Sequence, residues 1–309
     1  MRVVVAGASG LIGRALAAAL ARRGDEVVRL VRREPGAGEA HWDPTAGTVD
    51  RAALDGAGAL VDLAGAGIGD RRWSPARKEV VVASRVAATT VLVRAIADLE
   101  QPPGTLVNAS AVGFYGDRGD EVLTEDSAPG SGFLADLCQR WEAAALAAEA
   151  SGTRVVCLRS GVVLARHGGA LARLVRLVRL GVGGRLGSGR QWVSWISLDD
   201  EVGAILHLLS ATSIAGPVNL TAPSPVPNAA LTRSIARAVH RPAFLAVPSF
   251  ALKIAVGREL AAEVLLASQR ALPHRLTDSG YQFRHPTLDQ ALAAILSSPA
   301  PDGPADAGA

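Results

Sequence analysis

The stretch Val3-Val4-Val5-Ala6-Gly7-Ala8-Ser9-Gly10-Leu11-Ile12-Gly13 lies at the start of the chain and decides its fold. The valines predict a buried strand, the glycines predict a tight turn, and the apolar spacing that follows predicts an amphipathic helix over residues 11–23. In this order a helix N-terminus and free backbone N–H groups face one point, where they can bind a pyrophosphate. We therefore predict a dinucleotide-binding turn rather than a plain tight turn, with contacts from Gly7, Ser9, Gly10, Leu11, Ile12 and Gly13.

A chain of 309 residues, 49% of them hydrophobic, can bury the core of one large or two modest domains. The net charge is +3 and the basic residues are scattered, so nucleic-acid binding is not indicated. No apolar run is expected to reach the roughly 20 residues of a membrane span, and we expect the first strand to leave no room for a signal peptide. We expect a cytoplasmic protein without a membrane partner. Cys138 and Cys157 are expected to be reduced core thiols, and the histidines show no metal-ligand spacing, so no metal site is predicted.

Strand and helix patterns alternate five times before Leu164, with short loops between them. This alternation predicts an α/β fold, a Rossmann-type doubly wound parallel sheet with right-handed crossovers. The segment with His41 and Trp42 is assigned to a connection, not to a strand. After Leu164 helices dominate, apart from a short strand at 217–220. The predicted strands are 26–31, 59–63, 105–109 and 154–158, and the predicted helices are 75–99, 133–150, 171–180 and 198–210.

Two arginines, Arg32 and Arg33, follow the second strand. In dinucleotide folds this position usually carries an acidic residue that binds the ribose 2′-hydroxyl of NAD. A pair of guanidinium groups instead matches a 2′-phosphate in charge and in the geometry of its donors. We therefore predict NADP(H) as the cofactor, the other interpretation being a solvated surface pair.

The change of pattern after Leu164 also suggests how the chain is divided. We predict an NADP-binding Rossmann domain over 1–165, to which 193–222 return. Residues 166–192 and 223–296 are expected to form a smaller, mostly helical C-terminal domain on the substrate side. The tail, 297–309, is rich in Pro, Ala, Gly and Asp and is predicted to be disordered.

Several later segments resemble extended short-chain dehydrogenase/reductases, namely Asp62-Leu63-Ala64-Gly65, Ser110 to Gly116 and Arg159-Ser160-Gly161-Val162-Val163-Leu164. More narrowly, the chain resembles the atypical subgroup of epimerase-family proteins, of the NAD-dependent epimerase/dehydratase type. That resemblance rests on Arg72-Trp73, Gly113-Phe114-Tyr115-Gly116, Trp141-Glu142-Ala143-Ala144 and Gly187-Ser188-Gly189. Residues 247–292 resemble the domain of unknown function that closes this subgroup. The resemblance implies further cofactor contacts from Leu63, Ala64, Gly65, Arg85, Ser110, Arg159, Ser160 and Gly161.

The resemblance also implies a catalytic Ser-Tyr-Lys set, in which Tyr moves a proton and Lys lowers its pKa. The chain has two tyrosines, and neither Tyr115 nor Tyr281 is followed by Lys four residues later. Aligning the helix after the Ser110 loop places Phe133 at the Tyr position and Leu137 at the Lys position. Phe and Leu cannot move or polarise a proton, so the usual mechanism is excluded.

Ser110 and Tyr115 are the candidate catalytic residues that remain. Tyr115 could act as an acid if an arginine such as Arg159 or Arg85 lowered its pKa. The other interpretation is an aromatic side chain that is structural and bonded to backbone. The acidic residues of the loop 117–126 are interpreted as a solvated surface.

The segment 183–195 combines glycines with groups that bind phosphate and stack on rings. We predict a substrate wall there, formed by Arg190, Gln191 and Trp195, with Trp73 near the nicotinamide end. The other interpretation is that the tryptophans close a domain junction. The expected partner is a small molecule, a sugar nucleotide or a carbonyl compound, and no oligomeric state is predicted.

Three functions follow from these observations. The first is an NADP(H)-dependent oxidoreductase or an epimerase that lacks the Tyr-x-x-x-Lys pair. The second, motivated by the absent Tyr and Lys, is a non-catalytic NADP(H)-binding redox sensor or regulatory protein. A structural protein without cofactor is the third, and the intact glycine turn argues against it.

Overall fold

The opening stretch forms the strand and the helix that its pattern predicts, as Arg2–Ala6 and Leu11–Arg22. The three valines of this strand are completely buried. The computed structural model describes residues 1–243 and 245–297. The tail predicted to be disordered, 297–309, lies outside the described residues except for Ser297, which ends the last helix.

The strands of the described residues include eight that form one large sheet. Every predicted strand is present, with ends shifted by no more than two residues. Numbered in chain order, β1 to β16 are Arg2–Ala6, Glu26–Val31, Glu39–Asp43, Thr48–Val49, Ala59–Asp62, Thr105–Ala111, Val122–Leu123, Arg154–Ser160, Val162–Leu164, Gly184–Leu186, Trp192–Val193, Trp195–Ser197, Gly216–Leu220, Val226–Pro227, Leu245–Val247 and Arg270–Ala271.

The large sheet has the order β13-β8-β6-β5-β1-β2-β3-β4. Its neighbouring strands are parallel, except that β3 and β4 are antiparallel. The strand order reverses at β1, as in a doubly wound sheet, and the predicted Rossmann-type α/β fold is confirmed. The assignment of His41 and Trp42 to a connection is wrong. Both lie in β3, where Ala40 and Trp42 alternate onto the buried side.

The α-helices, numbered α1 to α12, are Leu11–Arg22, Arg51–Leu54, Pro75–Val82, Ala88–Ala97, Phe133–Leu146, Gly169–Arg179, Leu198–Ser210, Asn228–Ala238, Ser249–Val256, Arg258–Leu260, His274–Asp278 and Leu288–Ser297. Two π-helical segments and two 3₁₀ turns accompany them, at Ala83–Ala87, Ala261–Leu265, Val112–Tyr115 and Ala147–Ser151. The helix α7 has the predicted bounds, and α1 ends one residue earlier than predicted.

Side chains of β1 alternate between two hydrophobic clusters, one on each face of the sheet. Val3 and Val5 pack with residues of α1 and α7. Val4 and Ala6 pack with residues of α4 on the opposite face. Because both faces are covered by helices, the accessible side of the sheet for a ligand is the edge at which its parallel strands end.

A third cluster joins α6, α8 and α12 through Leu171, Leu231 and Leu292. Two small sheets accompany these helices, in which β10 pairs with β15 and β11 with β14. Residues 216–220 return to the large sheet as β13, beside β8. A further pair, β16 with β7, connects the C-terminal part to the loops that follow β6.

One helical run continues from Pro75 to Ala97, through α3, a π-helical segment and α4. It begins as its sequence predicts, because the Ser74 hydroxyl accepts a hydrogen bond from the Arg77 N–H at 3.1 Å. By length and composition this run could cross a membrane, so the expectation that no apolar run reaches that length is wrong for these residues. Its most apolar 18-residue window is 44% buried in the protein, with Leu92 and Ile96 in a core cluster.

Candidate dinucleotide site

The three glycines of the opening turn differ in what a side chain at each position would meet. Gly7 has a φ of +76°, and a Cβ on it would lie 2.6 Å from the Leu63 carbonyl carbon. A Cβ on Gly13 would lie 2.2 Å from the Gly7 oxygen. A Cβ on Gly10 would meet only that same oxygen, at 3.3 Å, so its outer side is open. Packing therefore requires Gly7 and Gly13, whereas Gly10 leaves room for an external group.

The N-terminus of α1 is not capped by a side chain from the described part of the chain. Its first turn also contains no acidic residue. The first N–H groups of a helix have no intrahelical partners, and the helix dipole favours an anion beside them. Ser9 and Gly10 are exposed at this end. The turn therefore presents backbone N–H groups and the positive end of the helix dipole at an exposed position, which is the chemistry that a diphosphate needs.

The two arginines after β2 have different environments. The Nη2 of Arg33 donates to Glu39 Oε1 at 2.8 Å, and its Nη1 donates to the Glu34 carbonyl at 2.8 Å. Arg32 is exposed and makes no hydrogen bond or ion pair within the described residues. Of these two arginines, Arg32 is therefore the one whose guanidinium has no competing partner among the described residues and is available for a phosphate.

The loop after β5 packs directly on the glycine turn. The Leu63 N–H donates to the Ala6 carbonyl at 3.0 Å, and the Ala64 N–H donates to Asp62 Oδ1 at 3.0 Å. Asp62 is completely buried and also accepts from the Thr89 hydroxyl at 2.7 Å. Burial raises the pKa of Asp62. The Asp62 carboxyl therefore holds this loop in place through the hydrogen bond that it accepts from the Ala64 N–H.

Arg85 lies against the next residue of that loop. A Cβ on Gly65 would lie 2.9 Å from the Arg85 Cζ, so the guanidinium rests on the glycine. The Cζ atom is 5.2 Å from the centre of the Trp141 ring, and Nη1 donates to the Val81 carbonyl at 3.2 Å. The structure therefore brings Gly65 and Arg85 together, as expected for neighbouring parts of one site.

Ser110, Tyr115 and Arg159 form a buried network instead of facing a ligand. The Ser110 hydroxyl donates to Glu142 Oε1 at 2.7 Å. Arg159 donates through Nε to Glu142 Oε1 and through Nη2 to Glu142 Oε2, both at 2.9 Å, and through Nη1 to the Tyr115 oxygen at 3.0 Å. The Tyr115 hydroxyl donates to Asn219 Oδ1 at 2.7 Å. Every nitrogen of the Arg159 guanidinium is therefore engaged, and its side chain is not offered to a cofactor.

The expectation that a neighbouring arginine lowers the pKa of Tyr115 below its usual value is wrong. Its side chain has no exposed surface, and burial raises its pKa, although the charge of Arg159 partly opposes that effect. A raised pKa in a sealed position does not suit a general acid that must reach a substrate. The contacts of Tyr115 are structural, as the other interpretation expects, but its hydroxyl bonds the side chains of Asn219 and Arg159 and not the backbone.

Ser160 and Gly161 also have structural partners. The Ser160 hydroxyl donates to Glu201 Oε1 at 2.6 Å. Glu201 is completely buried, its Oε2 has no hydrogen-bond partner among the residues that the structure describes, and burial raises its pKa to about 8. A Cβ on Gly161 would lie 2.5 Å from the Ser194 oxygen, so glycine is needed where this segment passes close to another strand.

The predicted substrate wall is not a single surface. Trp195 is fully buried in the third cluster, and its Nε1 donates to the Ser224 carbonyl at 2.9 Å, so its assignment to the substrate is wrong. Its orientation follows from β12, in which Trp195 faces the core. Gln191 is also buried, with Nε2 donating to the Leu186 and Leu265 carbonyls, each at 3.1 Å.

Arg190 is exposed, and its backbone N–H donates to the Ser188 hydroxyl at 3.2 Å. Trp73 is half-buried, with its Nε1 donating to the Ile68 carbonyl at 3.0 Å. Its ring meets the Phe133 ring edge-on, with 5.0 Å between the centres. Trp73 therefore lies beside the position at which the resemblance expects a catalytic tyrosine.

The N-terminus of α5 is occupied by protein groups. Glu263 accepts hydrogen bonds from the backbone N–H of Phe133 at 3.1 Å and of Leu134 at 2.8 Å. The Lys78 ammonium lies 5.1 Å from the centre of the Phe133 ring and pairs with Glu259. Neither Glu263 nor Lys78 was identified from the sequence, because both contacts join segments far apart in the chain.

The acidic loop after β6 is not a solvated surface throughout. Glu125 is buried, and its Oε1 accepts from the backbone N–H of Asn219 at 3.1 Å and of Arg275 at 3.2 Å. Glu142 was likewise missed as a network member. The sequence did contain a sign of its burial, because Glu142 is a single carboxylate next to Trp141 on the apolar side of a predicted helix.

Comparison with known proteins agrees with this geometry. Residues 3–220 match the profile of the NAD dependent epimerase/dehydratase family, and residues 247–295 match the domain of unknown function DUF1731. An epimerase family protein of Mycobacterium leprae is 47% identical over 298 residues, which cover 96% of each chain.

The solved structures that are similar to this chain include two from its own family. The human epimerase family protein SDR39U1, crystallised with NADPH, has a TM-score of 0.88 and 38% identity, covering 96% of this chain and 99% of that one. A nucleoside-diphosphate sugar epimerase from Corynebacterium glutamicum has a TM-score of 0.79 and 39% identity, covering 96% of this chain and 58% of that one. The family resemblance is confirmed, and the chain belongs to the NAD-dependent epimerase/dehydratase family, with a C-terminal DUF1731 domain.

Proposed function

We propose that this chain binds NADP(H) at the carboxyl edge of the large sheet, with the pyrophosphate at the glycine turn. The observation that carries the proposal is the N-terminus of α1, which has no capping side chain and no acidic first turn, and whose Gly10 is open on its outer side. The human relative was solved with NADPH, which supports the same cofactor here.

The 2′-phosphate is assigned to Arg32. Its guanidinium is exposed and makes no hydrogen bond or ion pair within the described residues, whereas Arg33 is held by Glu39. A guanidinium recognises a phosphate through two parallel N–H donors. Arg32 therefore supplies the preference for NADP(H) over NAD(H), and Arg33 fixes the loop that follows β2.

The bound cofactor would supply or accept a hydride at a carbon of a small substrate. We propose an oxidoreductase or epimerase-like reaction on a carbonyl compound or a sugar nucleotide. The Corynebacterium relative, described as a nucleoside-diphosphate sugar epimerase, supports the second substrate class. Phe133 and Leu137 offer no proton, and the Ser110 hydroxyl already donates to Glu142, so this chain's residues bind and orient rather than repeat the Ser-Tyr-Lys chemistry.

A non-catalytic role as an NADP(H)-binding redox sensor or regulatory protein is the second candidate. One specific observation favours it, namely that both predicted catalytic hydroxyls are held in the buried network of Glu142 and Arg159. Under this hypothesis the cofactor changes the conformation or the interactions of the protein and is not turned over.

Titration of the purified protein with NADPH and with NADH, followed by the fluorescence of the bound cofactor, tests the binding. We expect NADPH to bind at least about tenfold more tightly, the effect of one phosphate–guanidinium pair. Equal affinities would contradict the assignment of Arg32. Incubation of the NADPH complex with UDP-glucose and with a panel of small aldehydes and ketones then separates the two functions, because steady turnover by the pure protein would contradict the sensor hypothesis.

A further inference from the structure

The exposed apolar side chains of this protein concentrate on two segments of its C-terminal half. The first, residues 176–185, contains the end of α6 and the start of β10, and the second, residues 245–258, contains β15 and α9. Six of the ten large hydrophobic side chains that are exposed in the described part of the chain lie on them, namely Leu177, Leu180, Val182, Leu245, Phe250 and Ile254. Leu180, Phe250 and Ile254 are 66%, 65% and 70% exposed. Single exposed apolar residues are normal at a surface, but a cluster of them marks an interaction site.

The two segments belong to one surface, here called the α6–α9 face. Strand β10, which follows α6, pairs with β15, which precedes α9. Away from these strands, the Nη1 of Arg173 in α6 donates to the Gly69 carbonyl at 3.2 Å. The Nε of Arg72 donates to the Ala255 carbonyl in α9, also at 3.2 Å. Because the two helices are connected through the strand pair at one end and through the loop 69–72 at the other, their exposed side chains lie on neighbouring parts of one surface.

The α6–α9 face carries basic residues and no acidic ones, although the whole chain has 32 basic and 29 acidic residues. Its basic side chains are all exposed, namely Arg176, Arg179, Arg185, Lys253 and Arg258. The side chains of Arg176, Arg179 and Lys253 make no hydrogen bond or ion pair within the described residues. Asp70 and Glu259 lie next to the face, and each is paired with a basic residue outside it. The face is therefore both apolar and uniformly positive.

This combination fits the surface of an anionic membrane. Apolar side chains can enter the boundary between lipid headgroups and acyl chains, while the cations between them bind the headgroup phosphates. A second copy of the same face would bring like charges together across a two-fold interface, which is unfavourable. A polynucleotide would neutralise the arginines but would leave the exposed leucines and isoleucine without a partner. The charge of the face and its apolar surface thus favour a lipid partner.

We propose that the α6–α9 face docks this protein reversibly on an anionic phospholipid membrane. Leu180, Phe250 and Ile254 enter the headgroup boundary, and Arg176 and Arg179 bind lipid phosphates. The loop 69–72 continues from the loop after β5, so docking brings this side of the candidate dinucleotide site to the membrane. The proposal departs from the sequence-based expectation of a protein without a membrane partner. It does not rest on the proposed function, because no bound cofactor enters its test.

Co-sedimentation of the purified full chain with lipid vesicles tests the proposal. We expect the affinity for phosphatidylcholine vesicles that contain about 30% phosphatidylserine to exceed that for pure phosphatidylcholine by at least about tenfold. Raising the salt concentration from about 0.1 M to about 0.5 M should release the protein, because salt screens exposed charges.

Two double variants separate the apolar and the ionic parts of the docking. Phe250→Ser with Ile254→Ser should weaken binding to the phosphatidylserine vesicles about 10- to 100-fold, since two apolar side chains are no longer buried. Arg176→Gln with Arg179→Gln should weaken it about 10- to 30-fold and reduce the preference for phosphatidylserine. All four side chains are exposed, so both variants should keep the melting temperature of the wild type.

Arg22→Gln with Arg94→Gln is the matched control, because it removes the same charge from exposed positions in the last turns of α1 and α4. It should leave vesicle binding unchanged. Equal affinity of the wild type for the two kinds of vesicle, or full binding by both double variants of the face, would overturn the proposal. A wild-type dimer in light scattering that Phe250→Ser with Ile254→Ser dissociates, without binding of the wild type to phosphatidylserine vesicles, would assign the face to a second copy of the chain and overturn it as well.

Discussion

Arg159 and Glu142 form a buried bidentate ion pair, with Nε 2.9 Å from Oε1 and Nη2 2.9 Å from Oε2. Both side chains are almost completely buried, and the Ser110 hydroxyl donates to the same carboxylate. The pair binds Ser110 through Glu142 and Tyr115 through Arg159, so both predicted catalytic residues have structural contacts. The same contacts raise the pKa of Arg159, against the opposing effect of its burial, so its guanidinium stays charged.

Removal of one partner should destabilise the protein strongly. In Glu142→Ala the Arg159 charge stays buried without its counter-ion, and we expect the free energy of unfolding to fall by about 3–5 kcal/mol. Urea denaturation followed by circular dichroism measures this change. Glu149→Ala removes an exposed carboxylate near the end of the same helical region and should change stability by less than about 0.5 kcal/mol. Equal effects of the two variants would contradict the role of the pair.

Tyr115→Phe should affect stability but not cofactor binding. The variant loses the hydroxyl that accepts from Arg159 and donates to Asn219, which should lower the free energy of unfolding by about 1–2 kcal/mol. NADPH affinity, measured by fluorescence titration, should equal that of the wild type. If a substrate is found, a large loss of turnover in this variant without a loss of stability would restore Tyr115 as a catalytic candidate.

Replacement of the two arginines after β2 should have unequal effects on cofactor choice. Arg32→Ser removes the guanidinium that has no protein partner, and we expect NADPH affinity to fall about tenfold with NADH affinity unchanged. Arg33→Ser is the matched control, because that side chain is already bound to Glu39. A larger loss of NADPH affinity in Arg33→Ser would reverse the assignment.

Substitution of two glycines in the opening turn should have different effects, one on folding and the other on cofactor binding. Gly13→Ala places a Cβ against the Gly7 oxygen and should lower the melting temperature. Gly10→Ala meets only the same oxygen, at 3.3 Å, and should fold while it blocks the approach of the pyrophosphate. Thermal unfolding and NADPH titration of both variants test this pair. A Gly10→Ala protein that binds NADPH normally would argue against the pyrophosphate assignment.

Glu201 should make stability depend on pH. Its folded-state pKa is raised to about 8, while the carboxyl of an unfolded chain titrates near about 4.3. Between these values the unfolded state releases the proton and the folded state keeps it, so this residue lowers stability as the pH rises. Glu201→Gln removes the effect, and its advantage in the free energy of unfolding should be about 3–4 kcal/mol larger at pH 8 than at pH 5.

Denaturation of wild type and Glu201→Gln at the two pH values measures this difference. Glu149→Gln makes the same chemical change at an exposed position, and its effect should not vary between pH 5 and pH 8. A pH-independent advantage of Glu201→Gln would show that Glu201 titrates normally in the folded protein.

The pattern of β1 was enough to predict the strand, the turn and α1. Gly13 must be glycine because it lies against the Gly7 backbone, and Gly7 must be glycine because it lies against the Leu63 backbone after the neighbouring strand. The spacing of the two glycines is therefore enough to predict the turn. The strand β3 was missed because its alternation is only five residues long, and the buried Trp42 was read together with polar neighbours. Tertiary pairing with β2 makes it a strand.

The candidate site was predicted less completely because its contacts join distant segments. The Tyr115 hydroxyl and Asn219 are 104 residues apart, and Glu263 reaches Phe133 from 130 residues away. The sequence assigned Arg32 and Arg33 the same role, and the contact with Glu39 separates them. Trp195 was assigned to a substrate wall because its residue type is suitable, but the strand direction turns it into the core.

The sequence by itself determined the doubly wound sheet, the glycine turn, the arginines after β2 and the absence of a Tyr-x-x-x-Lys pair. These are local patterns, set by the periodicity of strands and helices and by residue type. Only the tertiary structure decided which polar groups remain available to bind a ligand. It buried Ser110, Tyr115 and Arg159 around Glu142 and left the Arg32 guanidinium without a partner among the described residues. Burial and hydrogen bonding depend on which distant segments meet, and those meetings determine what each side chain can bind.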